Sequence, residues 1–417
     1  MSRLFTALRR PNLRWLIAGA AVSLVGDGIY TVAIAVAVLD AGHGASGLAT
    51  LSIAMLIPRV LFGLWGGVLA DRVSRRSILV ACDLVRASVV TALGATLALG
   101  ASSIWLLAVM VIPLGAATGV ASPAFSSIIP DLVDDDQLVL ANAALGGIGP
   151  LAQVMVGPAL GGILAAHDPG VALLVDGGSF AVSALCVLLL RPARHHAVLE
   201  CGLPWVEFRA GVTYVRRTPW LAVNLLCALV LTFAVAGALN LLPLLVTEGY
   251  GADASSLGFV LAVGGAAGTL GALVGGMLPQ PRRLLAASYV AYILGLGAVI
   301  GLGLVHGPVG AAGFAALLFV GTSLGNVYQD TMIGHHVPRE LLGRVRSLDW
   351  VAATAMVPLS IVVAAAASGA IGIRATYVVS GALTAGVAAL SLGLLLHRGE
   401  PTIEGADDRP DVIEAAA

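Results

Sequence analysis

Two ionisable residues stand in the middle of long apolar stretches of this chain. Asp27 lies in "SLVGDGIYTVAIAVAVL", and Arg59 follows in the next apolar stretch. An ionisable side chain at the centre of a membrane costs about 3 kcal/mol on insertion scales and normally faces a partner or a water-filled cavity. We therefore expect Asp27 and Arg59 to pair or to share a cavity in which Asp27 takes up and releases a proton. A static buried ion pair that fixes helix packing is the alternative.

A second group of charges is concentrated in "GGVLADRVSRR", which starts at Gly66. Its glycines allow close helix approach, and Asp71 can cap the helix that follows. Because Arg72, Arg75 and Arg76 can pair with acids on other helices, the stretch can act as a latch between two conformations. The alternative is simple anchoring by positive charge on the cytoplasmic side, which explains the arginines but not Asp71.

The composition places these residues in a membrane protein. Of 417 residues, 59% are hydrophobic and only 11% are charged, and the mean hydropathy is +0.98. The apolar runs are about 20 residues long and do not alternate with polar residues, which predicts spanning helices rather than a barrel. The N-terminal apolar stretch is too long for a cleaved signal and is expected to be the first span.

Charge, proline and short polar turns divide the chain into twelve predicted spans. All 22 basic residues are arginines, and they fall almost entirely on one side of this arrangement. The positive-inside rule then predicts that both termini are cytoplasmic, in a multi-pass protein of the bacterial inner membrane. The predicted spans are 13–39, 47–70, 78–100, 104–128, 139–166, 170–190, 220–246, 255–278, 284–305, 308–332, 348–369 and 374–396.

The two halves of the chain repeat each other. "GGVL" at Gly66 recurs as "GGML" at Gly275, each followed by an arginine pair, and Pro130 aligns with Pro338 at nearly the same spacing. Such repeats predict two six-helix bundles. We expect an N-terminal bundle, a cytoplasmic linker that is an amphipathic surface helix or an ordinary solvated segment, a C-terminal bundle and a disordered tail. Their predicted bounds are 1–190, 191–219, 220–396 and 397–417.

The charged stretch resembles the signature loop of the major facilitator superfamily. Ser74 stands where that signature usually has glycine. The resemblance implies an all-α fold of twelve membrane helices in two pseudo-symmetric bundles. The matching residues are Gly67, Leu69, Asp71, Arg72, Arg75, Arg76 and Leu79.

Other stretches resemble the drug:proton antiporter branch that includes macrolide exporters and relatives of the enterobactin exporter. They are the first-span stretch around Asp27, "ACDLVRASVV", "PDLV", "ANAALGG" and "GRVRSL". "GPALGG" is similar to the antiporter signature of the fifth span, where Gly157, Pro158, Gly161 and Gly162 would form a kinked, small-residue helix that can rock. Ordinary close packing is an equally good interpretation.

Further polar residues within the spans are candidates for the same machinery. Asp83 and Arg86 can interact at i, i+3, and with Asp131 they can belong to the latch or form a purely structural pair. Asp176, Asp330 and Asp349 are expected nearer to span ends, where water reaches them, so we give them less weight. Other polar residues can line a cavity, or can instead hydrogen-bond neighbouring helices to each other, as most such residues in helix bundles do. They are Tyr30, Asn224, Asn240, Asn326, Tyr328 and Gln329.

The sequence predicts a transporter and not an enzyme. It has no lysine, so a phosphate-binding Walker loop is excluded, and the four cysteines show no metal-binding spacing. We expect no cofactor or metal, the proton gradient as energy source, and a monomer that meets small-molecule substrate, protons and lipid but no nucleic acid.

The predicted function is proton-coupled efflux of small amphipathic or cationic organic molecules by alternating access. A dedicated exporter of one natural product, such as a siderophore or a self-made antibiotic, is the alternative. A non-transporting membrane receptor or assembly partner is a third hypothesis, against which the embedded Asp27 and Arg59 argue.

Overall fold

The computed structural model describes residues 11–132, 145–190 and 212–398. Within these ranges the chain is helical and contains no strand. Twelve of the helices are long and apolar enough to cross a membrane, so the prediction of twelve spans is confirmed. A bilayer leaves no water for backbone groups, and helices satisfy these groups internally.

The first six spans fall close to their predicted positions. The described part of the fifth span starts at Leu145, and the N-terminal part predicted for it lies outside the described residues. The six helices are α1 (Pro11–Asp40), α2 (Gly44–Arg72), α3 (Arg75–Ala98), α4 (Ile104–Leu132), α5 (Leu145–His167) and α6 (Pro169–Leu188).

The last six spans include two interrupted helices. The seventh is followed by a short helical segment, Leu242–Gly249, whose final part is a π-helix. The eleventh breaks at Met356, and its second part begins at Val357 with Pro358 as its second residue. The helices are α7 (Pro219–Asn240), α8 (Ala254–Met277), α9 (Leu284–Leu304), α10 (Pro308–His336), α11a (Arg339–Ala355), α11b (Val357–Ile371) and α12 (Ile373–Arg398).

The chain forms two compact units. Unit 1 consists of Met1–Val198 and Leu242–Ala266, and unit 2 consists of Leu199–Leu241 and Ala267–Ala417. The segment 242–266 joins unit 1 because Gly162 of α5 and Gly258 of α8 meet with no side chain between them. The predicted bundle bounds stay a prediction, and most of the predicted linker helix lies outside the described residues.

In unit 1, α6 packs against both α1 and α3, while α2 packs against α4. One buried cluster, which includes Leu13, Leu79 and Ile128, joins α1, α3 and α4. In unit 2, α9 packs against α10 and α12, and α7 packs against α11b and α12.

Two helices begin with an aspartate cap. The Asp168 carboxylate accepts hydrogen bonds from the backbone N–H groups of Gly170 and Val171 at the start of α6. Asp253 accepts hydrogen bonds from the Ser256 backbone N–H at 2.9 Å and from the Ser255 hydroxyl, just before α8. These bonds lower the pKa of Asp253 below its usual range, since they stabilise the charged form.

Candidate functional site

Arginines at the start of α3 tie α3 to the ends of α4 and α6 in unit 1. Arg75 donates to Asp131 at the end of α4, with 2.5 Å between Nη1 and Oδ2, and also to the Ser127 carbonyl. Arg76 donates to the carbonyl oxygens of Val187 and Leu188, where α6 ends. Gly67, Asp71 and Arg72 belong to the last two turns of α2, and the side-chain placement of Asp71 lies outside the described part.

Asp27 lies near the middle of α1 and is partly buried. The positive charges of Arg86 and Arg59 both act on its carboxylate. In the described part of the chain Asp27 and Arg59 form no direct ion pair, and Arg59 is exposed. The two residues predicted to pair or share a cavity therefore interact only through space in this structure.

Asp83 and Arg86 form a buried ion pair along one face of α3. The second Asp83 oxygen accepts a hydrogen bond from Ser183 of α6 at 2.8 Å. The Arg86 guanidinium also lies over the Phe180 ring, 4.6 Å from its centroid. Helices α3 and α6 are thus held together by one charge-assisted network in the membrane interior.

Asp176 is a site residue to which sequence reasoning gave too little weight. We expected it near a span end within reach of water, but that expectation is wrong, because its side chain is 0% exposed. One carboxylate oxygen accepts a hydrogen bond from Ser179 at 3.1 Å, and the other has no hydrogen-bond partner. A Cβ at Gly26 would overlap this carboxylate, so Asp176 lies directly against α1 beside Asp27.

The structure therefore brings together three acids from three helices: Asp27, Asp83 and Asp176. Tyr30, predicted to line a cavity, belongs to this group, because it is buried and the charges of Asp27 and Asp176 both act on it. Arg86 is bound to Asp83, so not every carboxylate of the group can be ionised and paired at once. Because the charges of these carboxylates act on one another, protonation of one changes the free energy of ionising its neighbours.

The fifth span contains the stretch predicted to be antiporter-like. Here α5 contains a π-helix, Pro150–Val156, that ends where Gly157 begins the next α-helical turn. A Cβ at Gly157 would lie 2.7 Å from Gly28 Cα of α1, and one at Gly161 would lie 2.9 Å from Ile29 Cα. Pro158 follows Gly157 and removes a backbone donor at this junction.

The predicted polar residues of the second half lie in unit 2. Asn326 lines a cavity among α7, α9, α10 and α11a. Asn224 is fully buried and accepts a hydrogen bond from Tyr289, whose ring forms part of the same cavity wall. Asn240 is partly buried at the end of α7 and does not line this cavity.

The chain belongs to the major facilitator superfamily. The model of that family, described as "Major Facilitator Superfamily", matches residues 16–354. Together with the twelve apolar helices, this makes the chain a multi-pass membrane transporter of small molecules and not an enzyme.

Two curated relatives match most of the chain. An uncharacterized MFS-type transporter, YfiS of Bacillus subtilis, is 25% identical over 80% of this chain and 81% of its own length. Macrolide efflux protein A of Streptococcus pyogenes is 22% identical over 88% of this chain and 91% of its own length. The chain is therefore similar along most of its length to at least one protein named for efflux.

Among solved structures, the crystal structure of the nucleoside transporter NupG superimposes with a TM-score of 0.73. It covers 93% of this chain and 99% of its own, at 11% sequence identity. At that identity the likeness shows the fold alone, and it confirms the predicted fold class.

Proposed function

We propose that this transporter exports small amphipathic or cationic organic molecules in exchange for protons. The observation that carries the proposal is the group of three acids, Asp27, Asp83 and Asp176, inside the membrane-spanning part of unit 1. A charged acid in such a position destabilises the protein unless it has a partner. Acids inside a membrane protein therefore usually serve a function. Here Asp83 has a full partner and Asp176 does not.

Protonation changes the cost of burying these acids. An ionised carboxylate in an apolar interior needs a counter-charge, whereas the neutral acid needs only hydrogen bonds. Asp27 is the less enclosed of the two acids at the α1–α6 contact, since it is partly exposed while Asp176 is fully buried. We therefore assign proton exchange with water to Asp27. Asp176 is then the fully buried acid beside it.

Because protonation changes the cost of burying Asp27, proton binding is coupled to the conformation of the transporter. A state in which Asp27 faces an aqueous cavity favours its ionised form, and a state in which it is enclosed favours its protonated form. Proton binding from outside and release inside would then bias the alternation between the two states. Cargo that competes with the proton, or binds only one of the states, would move in the opposite direction.

The direction of transport and the kind of cargo are supported by a curated relative. Macrolide efflux protein A is named for the efflux of macrolides, and this chain matches it over 88% of its residues. Since the chain has no lysine, it lacks the P-loop lysine that ATP-driven transport would need, so a proton gradient is the energy source we assign.

The proposal is tested by efflux of a panel of cationic and neutral dyes and macrolides from cells that express the protein. We expect efflux that stops when a protonophore is added, is lost in Asp27→Asn and is slowed in Asp176→Asn. Asp40→Asn is the matched control, because Asp40 ends the same helix in an exposed position. Efflux that survives both the protonophore and Asp27→Asn would refute proton coupling.

A further inference from the structure

Unit 2 contains a cavity of about 300 Å³ among α7, α9, α10 and α11a. Its polar wall consists of Tyr289, Tyr292, Asn326, Gln329 and Asp349. The rest of the wall is aliphatic apart from two threonines, and no basic side chain is among the described residues that line it. Asp349 therefore gives the cavity a net negative charge whenever it is ionised.

The polar wall offers more acceptors than donors. The Tyr292 hydroxyl lies 2.7 Å from Asn326 Oδ1 and 2.9 Å from Gln329 Oε1. A phenol carries one hydrogen, so it can donate to only one of these oxygens at a time. The other amide oxygen can still accept a hydrogen bond. The negative ends of both amide carbonyl dipoles point toward the Tyr292 hydroxyl.

Asp349 has no tight partner of its own. Its nearest hydrogen bond comes from Gln329 Nε2, at 3.5 Å from Asp349 Oδ1. The charge of Arg346 acts on Asp349, but its guanidinium is bound to the Asp330 carboxylate and to the Asp330 carbonyl oxygen. The Asp349 carboxylate is thus available to a ligand.

Two aromatic rings complete the wall. Tyr289 and Tyr292 meet edge to face, with 6.0 Å between ring centroids. Both are buried, and the Tyr289 hydroxyl is held by Asn224 at 3.2 Å. Rigid tyrosine faces attract organic cations, and they do so more strongly in a site with little water.

We propose that this cavity is a binding subsite for the cationic head of an organic cation, with Asp349 as its counter-ion and Tyr289 and Tyr292 as its aromatic wall. A volume of about 300 Å³ is at the small end of ligand pockets, so it fits a quaternary or tertiary ammonium group with one ring and not a whole large antibiotic. The inference rests on the proposed export function, for which it specifies one chemical class of cargo.

The test uses two probes of the same shape, 3-hydroxyphenyltrimethylammonium and the neutral 3-tert-butylphenol. Binding of each is measured by calorimetry on the purified full chain in lipid nanodiscs. We expect the wild type to prefer the cation and Asp349→Asn to weaken cation binding by about tenfold or more, with little change for the phenol. Asp40→Asn is the control, because Asp40 is an exposed acid at the end of α1 that neither lines the cavity nor binds Arg346.

Two results would overturn the subsite: equal affinity of the wild type for both probes, or the same loss of cation binding in Asp40→Asn as in Asp349→Asn. A melting curve of each variant shows whether a loss of binding is only a loss of folding. The binding assay needs no gradient, so it is independent of proton coupling. If efflux proves to be gradient-driven but Asp349→Asn leaves cation binding unchanged, the export function stands and the subsite does not.

Discussion

The Asp83–Arg86 pair shows how much a single charge matters inside this protein. The two side chains are 3% and 11% exposed, and the pair is completed by Ser183 and the Phe180 ring. Removing one partner of a buried pair leaves a charge without compensation, which typically destabilises a protein by about 3–5 kcal/mol. An exposed pair is worth about 1 kcal/mol or less.

We therefore expect Arg86→Met to lower the thermal stability of the purified protein strongly, and the double change Asp83→Asn with Arg86→Met to restore much of it. Arg346→Met serves as control, since Arg346 and Asp330 are 35% and 58% exposed. Thermal unfolding in detergent measures all four proteins. A loss in Arg346→Met as large as that in Arg86→Met would show that burial of the pair is not what matters.

Some of the individual site residues could be predicted from the sequence, and others could not. Asp27 was found because apolar residues flank it on both sides, and Asp83 with Arg86 because they stand at i, i+3. Asp176 and Asp349 were underrated, because their depth depends on which neighbours cover them. The distance of a residue from the end of a span does not show which neighbouring side chains bury it.

At the scale of elements, the contact of α1 with α5 depends on paired glycines. A Cβ at Gly157 would meet the Val25 carbonyl oxygen at 2.6 Å and Gly28 Cα at 2.7 Å, both of them backbone atoms that cannot turn aside. The π-helix that ends at Val156 places Gly157 at this contact.

We expect Gly157→Val to separate α1 from α5 and to reduce both the yield of folded protein and its efflux. Gly149→Val is the matched control, because a Cβ at Gly149, on the same helix, meets nothing within 4 Å. Size-exclusion profiles and efflux of both variants are compared with the wild type. If the two valines have the same effect, close packing at Gly157 is not the cause.

Helix positions were predictable, but helix faces were not. The spans are apolar on all sides, so periodicity gives no sign of which residues point inward. That is why Asp27 and Arg59 could be assigned to adjacent helices but their direct pairing could not be decided. The contact between Arg75 and Asp131 likewise depends on where α3 begins and α4 ends.

At the scale of the whole molecule, arginine placement predicts that both termini are cytoplasmic. A green fluorescent protein fused after Ala417 should therefore fluoresce, since it folds in the cytoplasm. A fusion to the chain truncated after Gly307, in the predicted outside turn between α9 and α10, should remain dark. Fluorescence in whole cells, normalised to expression, measures both, and the opposite pattern would invert the orientation.

The twelve spans and the family followed from composition and one charged loop, because lipid imposes a narrow choice of structures. The exact bounds of the two units could not be predicted from the sequence. Residues 242–266 are grouped with unit 1 through glycine contacts that hydropathy does not reveal. The cargo depends on a few side chains around a cavity, and no single motif encodes them.

Proton-coupled export through Asp27 is tested most directly by measuring proton movement that cargo drives across a membrane containing only this protein. The purified chain is reconstituted in liposomes with a pH-sensitive dye inside, and a cationic substrate from the efflux panel is added outside. We predict a substrate-dependent proton flux in the wild type that is absent in Asp27→Asn and present in Asp40→Asn. Cargo transport without proton movement, or an undiminished flux in Asp27→Asn, would contradict it.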